Sequence, residues 1–501
     1  MESTIKQYEN IRKKMLAYQF VNFMISWDSN TEAPEGCFPL RSRQVGILSE
    51  ETYKLQTAPE TVKIIDELYL RRDELDDEVL KHEITESKEG LDKLKKVPID
   101  EYIDYMSLLA ESESIWAKAK RGNDYEIFRP TLEKIVDFNR KYIKYVETDK
   151  LKGYDILLDE YEKGMTIQEY DQFFEKIKTE LVPFVLKIID SNLEINDEFN
   201  KLHYPKSEQK EFLEYIVKVL DFDLNKGVLK ESEHPFTSGF GTTDVRITNH
   251  YYEDNFTSAI FSGIHELGHA LYEQQVSPDL DYTLSGGGGS MALHESQSRF
   301  YENIIGRSLE FWKIHFPKLK GIFKKQLRGV KVTDFYKLIN KVEATLIRTE
   351  ADELTYPIHI MIRYDLEKAL FNNELEVKDL PKAWNAKYKE YLGLDVPSAK
   401  EGVLQDIHWA GGSFGYFPTY ALGSAYSAQI YKVMNKDFKV LKSLETGTTK
   451  EINLWLKEHL HFYGSSKPPK ELFKICVGEK FNPKHYINYL IKKYSKIYNI
   501  K

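Results

Sequence analysis

The segment His265-Glu266-Leu267-Gly268-His269 constrains this chain more than any other stretch of its sequence. In an α-helix each residue turns the chain by roughly 100°, so His265 and His269 lie one turn apart on the same face. Both rings can then direct a nitrogen at one metal ion. Glu266 lies beside that face, where its carboxylate can accept a proton from a water that the ion activates. The spacing therefore predicts two zinc ligands and one general base on a single helix.

The residues around this segment predict that the helix is buried. Gly263 and Gly268 allow another element or a ligand to approach closely. The other faces carry apolar side chains at helical spacing: Phe256, Ala259, Ile260, Ile264, Leu267, Ala270 and Leu271. We therefore expect the metal site inside the protein rather than on its surface.

A catalytic zinc site needs three protein ligands and one open position, and a carboxylate is an acceptable third ligand. Glu295 is the predicted third ligand, because it lies in a helix-compatible stretch, residues 291–300, that follows a glycine-rich turn. Glu273 and His294 are the alternatives. Glu273 would have to bend back along its own helix, and His294 points about 100° away from Glu295. We expect His294 to support a ligand instead.

Composition limits the class of partner and the compartment. The 501 residues include 79 acidic and 70 basic side chains, a formal charge of -9, which gives no general electrostatic reason to bind nucleic acid. Cys37 and Cys476 form no disulfide framework, which favours a reducing compartment. The first residues contain no apolar signal region, and no stretch of about 18 consecutive apolar residues occurs. We therefore predict a cytoplasmic protein without a membrane partner.

The order of patterns along the chain predicts long helices around a short irregular centre. Residues 8–145 show apolar side chains at three-and-four spacing; the first helix is expected to end near Trp27 and the next to begin near Arg41. Residues 233–250 are typical of loop and strand. A short edge strand beside the metal helix could hold an extended peptide, although the segment could also be a connector. The run Gly286 to Gly289 is expected to be mobile or to form an unusual turn.

Five stretches, taken in order, resemble the M32 carboxypeptidases of the thermostable carboxypeptidase 1 type. The metal helix and His294-Glu295-Ser296-Gln297 are similar to the family's HExxH and HES(Q) pair. The other three are residues 244–248 (DVRIT), 347–352 (IRTEAD) and 402–409 (GVLQDIHW). The match extends to Trp27-Asp28 and the connection that follows, so it covers essentially the whole chain. Ala33 departs from the pattern, which has Met there, but it lies outside the zinc cluster.

The resemblance implies a mainly helical single-body zincin with a deep central groove and a small strand element beside the HExxH helix, similar to neurolysin. It implies one peptidase domain over residues 1–501: a helical part at about 1–230, the zinc and substrate site at about 231–425, and closing helices at about 426–501. It also implies a homodimer, one zinc ion per chain, and removal of single residues from peptide C-termini. Cobalt is an alternative ion, because the same ligands accept both metals.

A carboxypeptidase needs a fixed cation for the terminal carboxylate of its substrate, and the planar fork of arginine suits that task. Arg348 resembles the family residue for this role, and Arg246 is the alternative. Tyr420 and His408 are the predicted donors to the transition state. Asp406 is expected to orient a neighbour, and His234 to line the groove.

The sequence thus predicts a zinc-dependent metallocarboxypeptidase that acts on peptides with a free C-terminus. An oligopeptidase or dipeptidyl carboxypeptidase with the same zinc chemistry is the nearest alternative. A noncatalytic peptide-binding protein is a third hypothesis, but the presence of both Glu266 and Glu295 argues against it because binding alone requires no base.

Overall fold

A computed structural model describes residues 1–191 and 193–500, and most of them are helical. The N-terminal helices are α1 (Glu2–Thr31), α2 (Phe38–Thr57), α3 (Pro59–Leu70), α4 (Glu78–Lys96), α5 (Ile99–Gly122), α6 (Tyr125–Val146), α7 (Asp155–Asp159), α8 (Ile167–Lys176), α9 (Val182–Asp190) and α10 (Lys206–Val219). The later helices are α11 (Phe256–Gln275), α12 (Met291–Arg299), α13 (Leu309–Ile322), α14 (Val332–Leu338), α15 (Tyr356–Phe371), α16 (Leu380–Leu392), α17 (Phe417–Asp437), α18 (Val440–Ser443), α19 (Lys450–His459), α20 (Pro469–Val477) and α21 (Lys484–Tyr498). None of these helices is long and apolar enough to cross a membrane.

Helix α1 is longer than the sequence predicted. It continues past Trp27 to Thr31, and α2 begins at Phe38 rather than near Arg41. The hydroxyls of Ser29 and Thr31 donate to backbone carbonyls one turn earlier, at 2.6 and 2.8 Å. These polar residues are typical of a loop in sequence. Their hydroxyls instead form hydrogen bonds within the helix, so the helix does not end at the polar run.

Most buried apolar residues form one core that reaches from α5 to α21. A second, smaller cluster joins α1, α3 and α4 around Tyr8, Leu68 and Ile84. Helix α2 contributes no buried residue to either. The helices that carry the metal motif therefore belong to the larger core, while the first helices form a lighter attachment to it.

Three short strands lie between α10 and α11: β1 (Gly227–Glu231), β2 (Thr237–Gly239) and β3 (Val245–Asn249). β3 is central, with β1 parallel and β2 antiparallel to it, so β2 is an edge strand. The β2 side chain of Thr237 contacts α11 through Glu266. The prediction of a mainly helical chain with a small strand element beside the metal helix is confirmed.

Helices α11, α12 and α17 pack closely because glycine stands at both contacts. A Cβ at Gly268 of α11 would lie 2.7 Å from the Cα of Ser298, and a Cβ at Gly423 of α17 would lie 2.7 Å from the Cβ of Glu295. A side chain at either position would push α12 away. Ser290 caps the start of helix α12, and its hydroxyl accepts from the Leu293 amide. These contacts hold Glu295 beside α11.

Candidate active site

Three predicted metal ligands come together between α11 and α12. The Nε2 atoms of His265 and His269 lie 3.6 and 3.5 Å from Oε2 of Glu295. In the described residues this is the one group whose spacing could hold a metal ion, with all ligand atoms within 4.8 Å of one another. A tetrahedral ion with bonds of about 2.0–2.2 Å separates its ligands by about 3.3–3.6 Å. The two imidazoles and the carboxylate therefore fit a divalent ion such as zinc.

The other ring nitrogen of His265 is held by a carboxylate. Nδ1 of His265 lies 3.0 Å from Oε2 of Glu302, which also accepts from Arg299 at 3.2 Å; the second Glu302 oxygen accepts from Arg307 at 3.0 Å. Burial would raise the pKa of Glu302, but Arg299, His265 and Arg307 hold it well below its usual range. An ionised Glu302 fixes the His265 tautomer that leaves Nε2 free for a metal. Sequence reasoning missed this residue.

The role of Glu302 could have been predicted from the spacing of Glu295, Arg299 and Glu302. Residues four and seven positions apart share a helix face, so Arg299 and Glu302 continue the face of Glu295. A π-helical segment, Phe300–Gly306, carries this face past the end of α12 and packs it against α11.

The two alternative third ligands lie behind His269. Nδ1 of His269 and Nδ1 of His294 are 2.5 Å apart, and Nε2 of His294 is 2.6 Å from Oε1 of Glu273. The same Glu273 oxygen accepts from the Gly288 amide at 3.0 Å. His294 and Glu273 thus orient a ligand, and the Gly288 amide ties the glycine run to α11 through Glu273.

The Glu295 carboxylate is kept ionised by its neighbours. Its Oε1 accepts from Arg299 Nε at 2.6 Å, while Oε2, which faces both histidines, accepts from the Ser298 hydroxyl at 3.0 Å. Burial would raise the pKa of Glu295, but Arg299, His265 and His269 lower it well below its usual value. Arg299 therefore turns one carboxylate oxygen away and leaves the other for the metal.

Glu266 points at the edge strand. Its Oε2 accepts from the Thr237 hydroxyl at 2.6 Å. Burial raises the pKa of Glu266, which makes its carboxylate a stronger proton acceptor. A cavity of about 260 Å³ is lined by β2, including Thr237, and by Glu273, Gly287 and His294.

Arg348 is buried and has part of its guanidinium unused. Nε and Nη2 donate to Oδ1 of Asp406 at 3.1 and 2.9 Å, and Nη1 donates to the Tyr356 hydroxyl at 3.0 Å. Five N–H groups are present on a guanidinium, so these three contacts leave donors for a further anion.

Asp406 is shared by a second arginine that sequence reasoning missed. Arg363, fully buried on α15, donates from Nε to Oδ2 of Asp406 at 2.8 Å. Burial would raise the pKa of Asp406, but Arg363 and Arg348 lower it far below its usual value. Two guanidinium groups share one carboxylate, so the cluster keeps one net positive charge. That charge favours the binding of an anion beside Arg348.

Arg246, the alternative anchor, is already paired. Nε and Nη2 donate to the two oxygens of Asp244 at 2.6 and 2.7 Å. The guanidinium carbon lies 5.0 Å from the Phe23 ring centroid and 5.4 Å from that of Trp27. This one-to-one pair joins β3 to α1 and has no excess charge, so its geometry favours a structural role.

Tyr420 and His408 are neighbours next to Arg348. Nε2 of His408 lies 3.2 Å from the Tyr420 hydroxyl, and the Arg348 guanidinium carbon lies 5.1 Å from the Tyr420 ring centroid. Burial, followed by Arg348, lowers the pKa of His408 to about 4. Burial also raises the pKa of Tyr420. Both groups are therefore neutral at pH 7 and able to donate a hydrogen bond.

His234 lies apart from these groups. Its side chain is exposed, and its backbone carbonyl accepts from the Ser232 hydroxyl at 2.6 Å. Across residues 1–191 and 193–500, no hydrogen bond or ring contact joins its side chain to the metal or arginine clusters. The prediction that it lines the groove is therefore without support from these contacts.

Comparisons with known proteins cover nearly the whole chain. The family described as carboxypeptidase Taq (M32) metallopeptidase matches residues 7–494. Carboxypeptidase 1 of Bacillus subtilis (strain 168) is 40% identical over 494 residues, 98% of each protein. Thermostable carboxypeptidase 1 of Thermus thermophilus is 35% identical over 487 residues, 95% of each. The crystal structure of the M32 carboxypeptidase from Deinococcus radiodurans R1 has a TM-score of 0.94 at 30% identity, and the match covers 99% of this chain and 100% of that one.

Proposed function

Because the chain belongs to the carboxypeptidase Taq (M32) metallopeptidases and is a metallocarboxypeptidase, we propose that it uses zinc to release single amino acids from free peptide C-termini. The observation that carries this proposal is the pairing of two sites. The candidate metal site consists of His265, His269 and Glu295. It lies near a buried arginine cluster that has an unpaired positive charge. The first activates a peptide bond and the second recognises a terminal carboxylate.

A divalent ion held by the three ligands supplies electrophilic polarisation of the scissile carbonyl and acidifies the attacking water. Glu266 accepts the proton of that water as its oxygen bonds to the carbonyl carbon, and then delivers the proton to the departing amine as the C–N bond breaks. Thr237 holds the Glu266 carboxylate in position.

Arg348 binds the terminal carboxylate through the N–H groups that Asp406 and Tyr356 leave free. Arg246 remains the alternative, but its carboxylate partner already neutralises it. Because an anchor of this kind accepts only a free C-terminus, it restricts cleavage to the end of the peptide. His234, which is exposed, is proposed as a contact for a more distant part of the substrate.

Tyr420 and His408 donate hydrogen bonds to the oxygen that becomes negative as the carbonyl is attacked. Support comes from their position: Tyr420 lies one helical turn before Gly423, which packs on Glu295, and its ring contacts Arg348. Tyr420 is thus on the helix that packs against Glu295 and is also beside the proposed anchor, with His408 as its hydrogen-bond partner.

The test compares one peptide with its C-terminal amide in a time course followed by mass spectrometry. We expect a ladder of single-residue losses from the free acid, no cleavage of the amide, and complete loss of activity after chelation with recovery on adding zinc or cobalt. Release of dipeptides would indicate a dipeptidyl carboxypeptidase, and internal cleavage of the amide would indicate an oligopeptidase. Activity that survives exhaustive chelation would overturn the metal mechanism.

We also propose one zinc ion per chain, a cytoplasmic location and a homodimer. The single group of suitable ligands among the described residues supports one ion. The cysteines Cys37 and Cys476 are both free, which is consistent with a reducing compartment. The homodimer rests on family resemblance, and sedimentation equilibrium at several protein concentrations would test it.

A further inference from the structure

Tyr356 contacts both charged clusters although the proposed mechanism gives it no chemical step. It is the first residue of α15 and is only 7% exposed. Its hydroxyl accepts from Nη1 of Arg348 at 3.0 Å. Its ring centroid lies 4.5 Å from the guanidinium carbon of Arg299 and 5.9 Å from that of Arg348.

Arg299 continues this series of contacts to the metal group, because its Nε donates to Oε1 of Glu295 at 2.6 Å. Glu295, Arg299, Tyr356 and Arg348 thus form an unbroken path from a metal ligand to the carboxylate anchor. The two arginines come from separate elements, the end of α12 and a 3₁₀ turn at Arg348–Glu350. A rigid aromatic ring that touches both is suited to fix their separation.

We propose that Tyr356 is a positioning residue that sets the spacing between the metal group and Arg348, and thereby limits the released fragment to one residue. The inference rests on the proposed role of Arg348 as the anchor. One residue spans about 3.3–3.8 Å along an extended chain. A displacement of about 1 Å can cost a factor of about 100 in rate. The anchor must therefore be held to well within one residue length.

Proline at position 357 supports this role of the ring. Pro357 occupies the first turn of α15, where its fixed φ defines the start of the helix. The Tyr356 ring also lies 6.4 Å from the Tyr420 ring, at an interplanar angle of 83°. The phenol therefore has little freedom to move, so its contacts fix the position of Arg348 relative to Arg299.

The test uses mercaptoalkanoic acids that differ only in the number of methylene groups between thiol and carboxylate. The thiol binds the metal and the carboxylate binds the anchor, so the inhibition constant against chain length measures the spacing. In the wild-type enzyme we expect one preferred length. Tyr356→Phe keeps the ring and loses the hydroxyl, which should weaken the preferred inhibitor by about tenfold. Tyr356→Leu should flatten the preference and allow some release of dipeptides.

Tyr204→Phe is the matched control, because it also removes a buried tyrosine hydroxyl, one that donates to the Phe199 carbonyl at 2.6 Å. We expect this variant to keep the wild-type length preference. If Tyr356→Leu fails to fold, Tyr356→Phe decides the question alone. An unchanged preference, or an equal loss at every chain length, would overturn the spacing role.

Failure of the anchor itself gives a different result. If Arg348→Ala leaves the length preference of the wild-type enzyme intact, the carboxylate binds elsewhere and the proposed function needs revision. If Arg348→Ala abolishes the preference while Tyr356→Phe and Tyr356→Leu retain it, the anchor holds and only the role of Tyr356 is overturned. Zinc content of each variant, measured by mass spectrometry, separates loss of the ion from loss of spacing.

Discussion

The two charged clusters on either side of Tyr356 satisfy opposite requirements. On the metal side, the carboxylates of Glu295 and Glu302 are matched by Arg299 and Arg307, and Glu295 still directs one oxygen at two imidazoles. On the anchor side, Arg348 and Arg363 share only Asp406, which leaves a positive charge without a partner.

The difference indicates which property of each cluster governs the binding of its ligand. On the metal side, Arg299 and Arg307 hold Glu295 and Glu302 in place around atoms whose spacing suits a cation, so its function depends mainly on geometry. The anchor side has an excess of charge in a buried place, where an unpaired ion is costly, so its function depends mainly on electrostatics. Substitutions that preserve shape but change charge, or the reverse, should therefore act differently on the two sides.

The largest effects are expected on the metal side, and two substitutions there should separate ligand from base. His269→Ala should lose both the ion and activity, because two remaining ligands hold zinc poorly. Glu266→Gln should keep the ion but lower kcat by about 10²- to 10⁴-fold, because the amide cannot accept the water proton. Metal analysis and steady-state kinetics on the same preparations measure both quantities. Equal loss of metal in the two variants would remove Glu266 from its role as base.

On the anchor side, Arg348→Ala should lower kcat/KM for a free-acid peptide by about a hundredfold, the effect of removing one partner of a buried charge pair. Zinc content should stay unchanged, because Arg348 contacts no metal ligand directly. Arg246→Ala is the matched control and should have a much smaller effect, since Asp244 already neutralises that guanidinium. The opposite ranking of the two variants would transfer the anchor to Arg246.

The metal side was more accessible to sequence reasoning than the anchor side. His265, Glu266 and His269 lie within one helical turn and a half, and Glu295 could be assigned because a carboxylate on a nearby helix suits zinc. Arg363 could not be recognised, because its partner Asp406 is 43 positions away in an irregular loop. No periodic pattern relates a loop residue to a helix face. The end of α1 was predicted too early for another reason. Ser29 and Thr31 belong to a polar run that is typical of a loop, but their hydroxyls donate to carbonyls of the same helix.

A charge-only change should weaken the metal side moderately. Glu302→Gln keeps the size of the side chain but leaves Arg299 and Arg307 without a shared anion, so His265 should be held less firmly. We expect zinc affinity to fall by about 10- to 100-fold. Competition with a fluorescent chelator measures it. Glu83→Gln, at a buried carboxylate paired with Arg12 in the smaller core, should leave zinc affinity unchanged. If both variants lower the affinity equally, the effect is a general loss of stability.

The smallest effect should come from a change of shape alone. Gly423→Ala adds one methyl group that would lie 2.7 Å from Cβ of Glu295, in a contact that includes the Ala292 backbone. Overpacking of this kind typically costs about 1–3 kcal/mol of stability. Gly46→Ala in α2 is the matched control, because nothing lies within 4 Å of its added methyl group, and it should be neutral or slightly stabilising. Thermal unfolding with and without zinc measures both.

Because the strain falls on the helix that carries Glu295, Gly423→Ala should also reduce the stabilisation that zinc provides, whereas Gly46→Ala should preserve it. An equal response of the two variants to zinc would show that α12 and α17 can separate without moving the ligand, and that the metal side depends less on geometry than its contacts indicate.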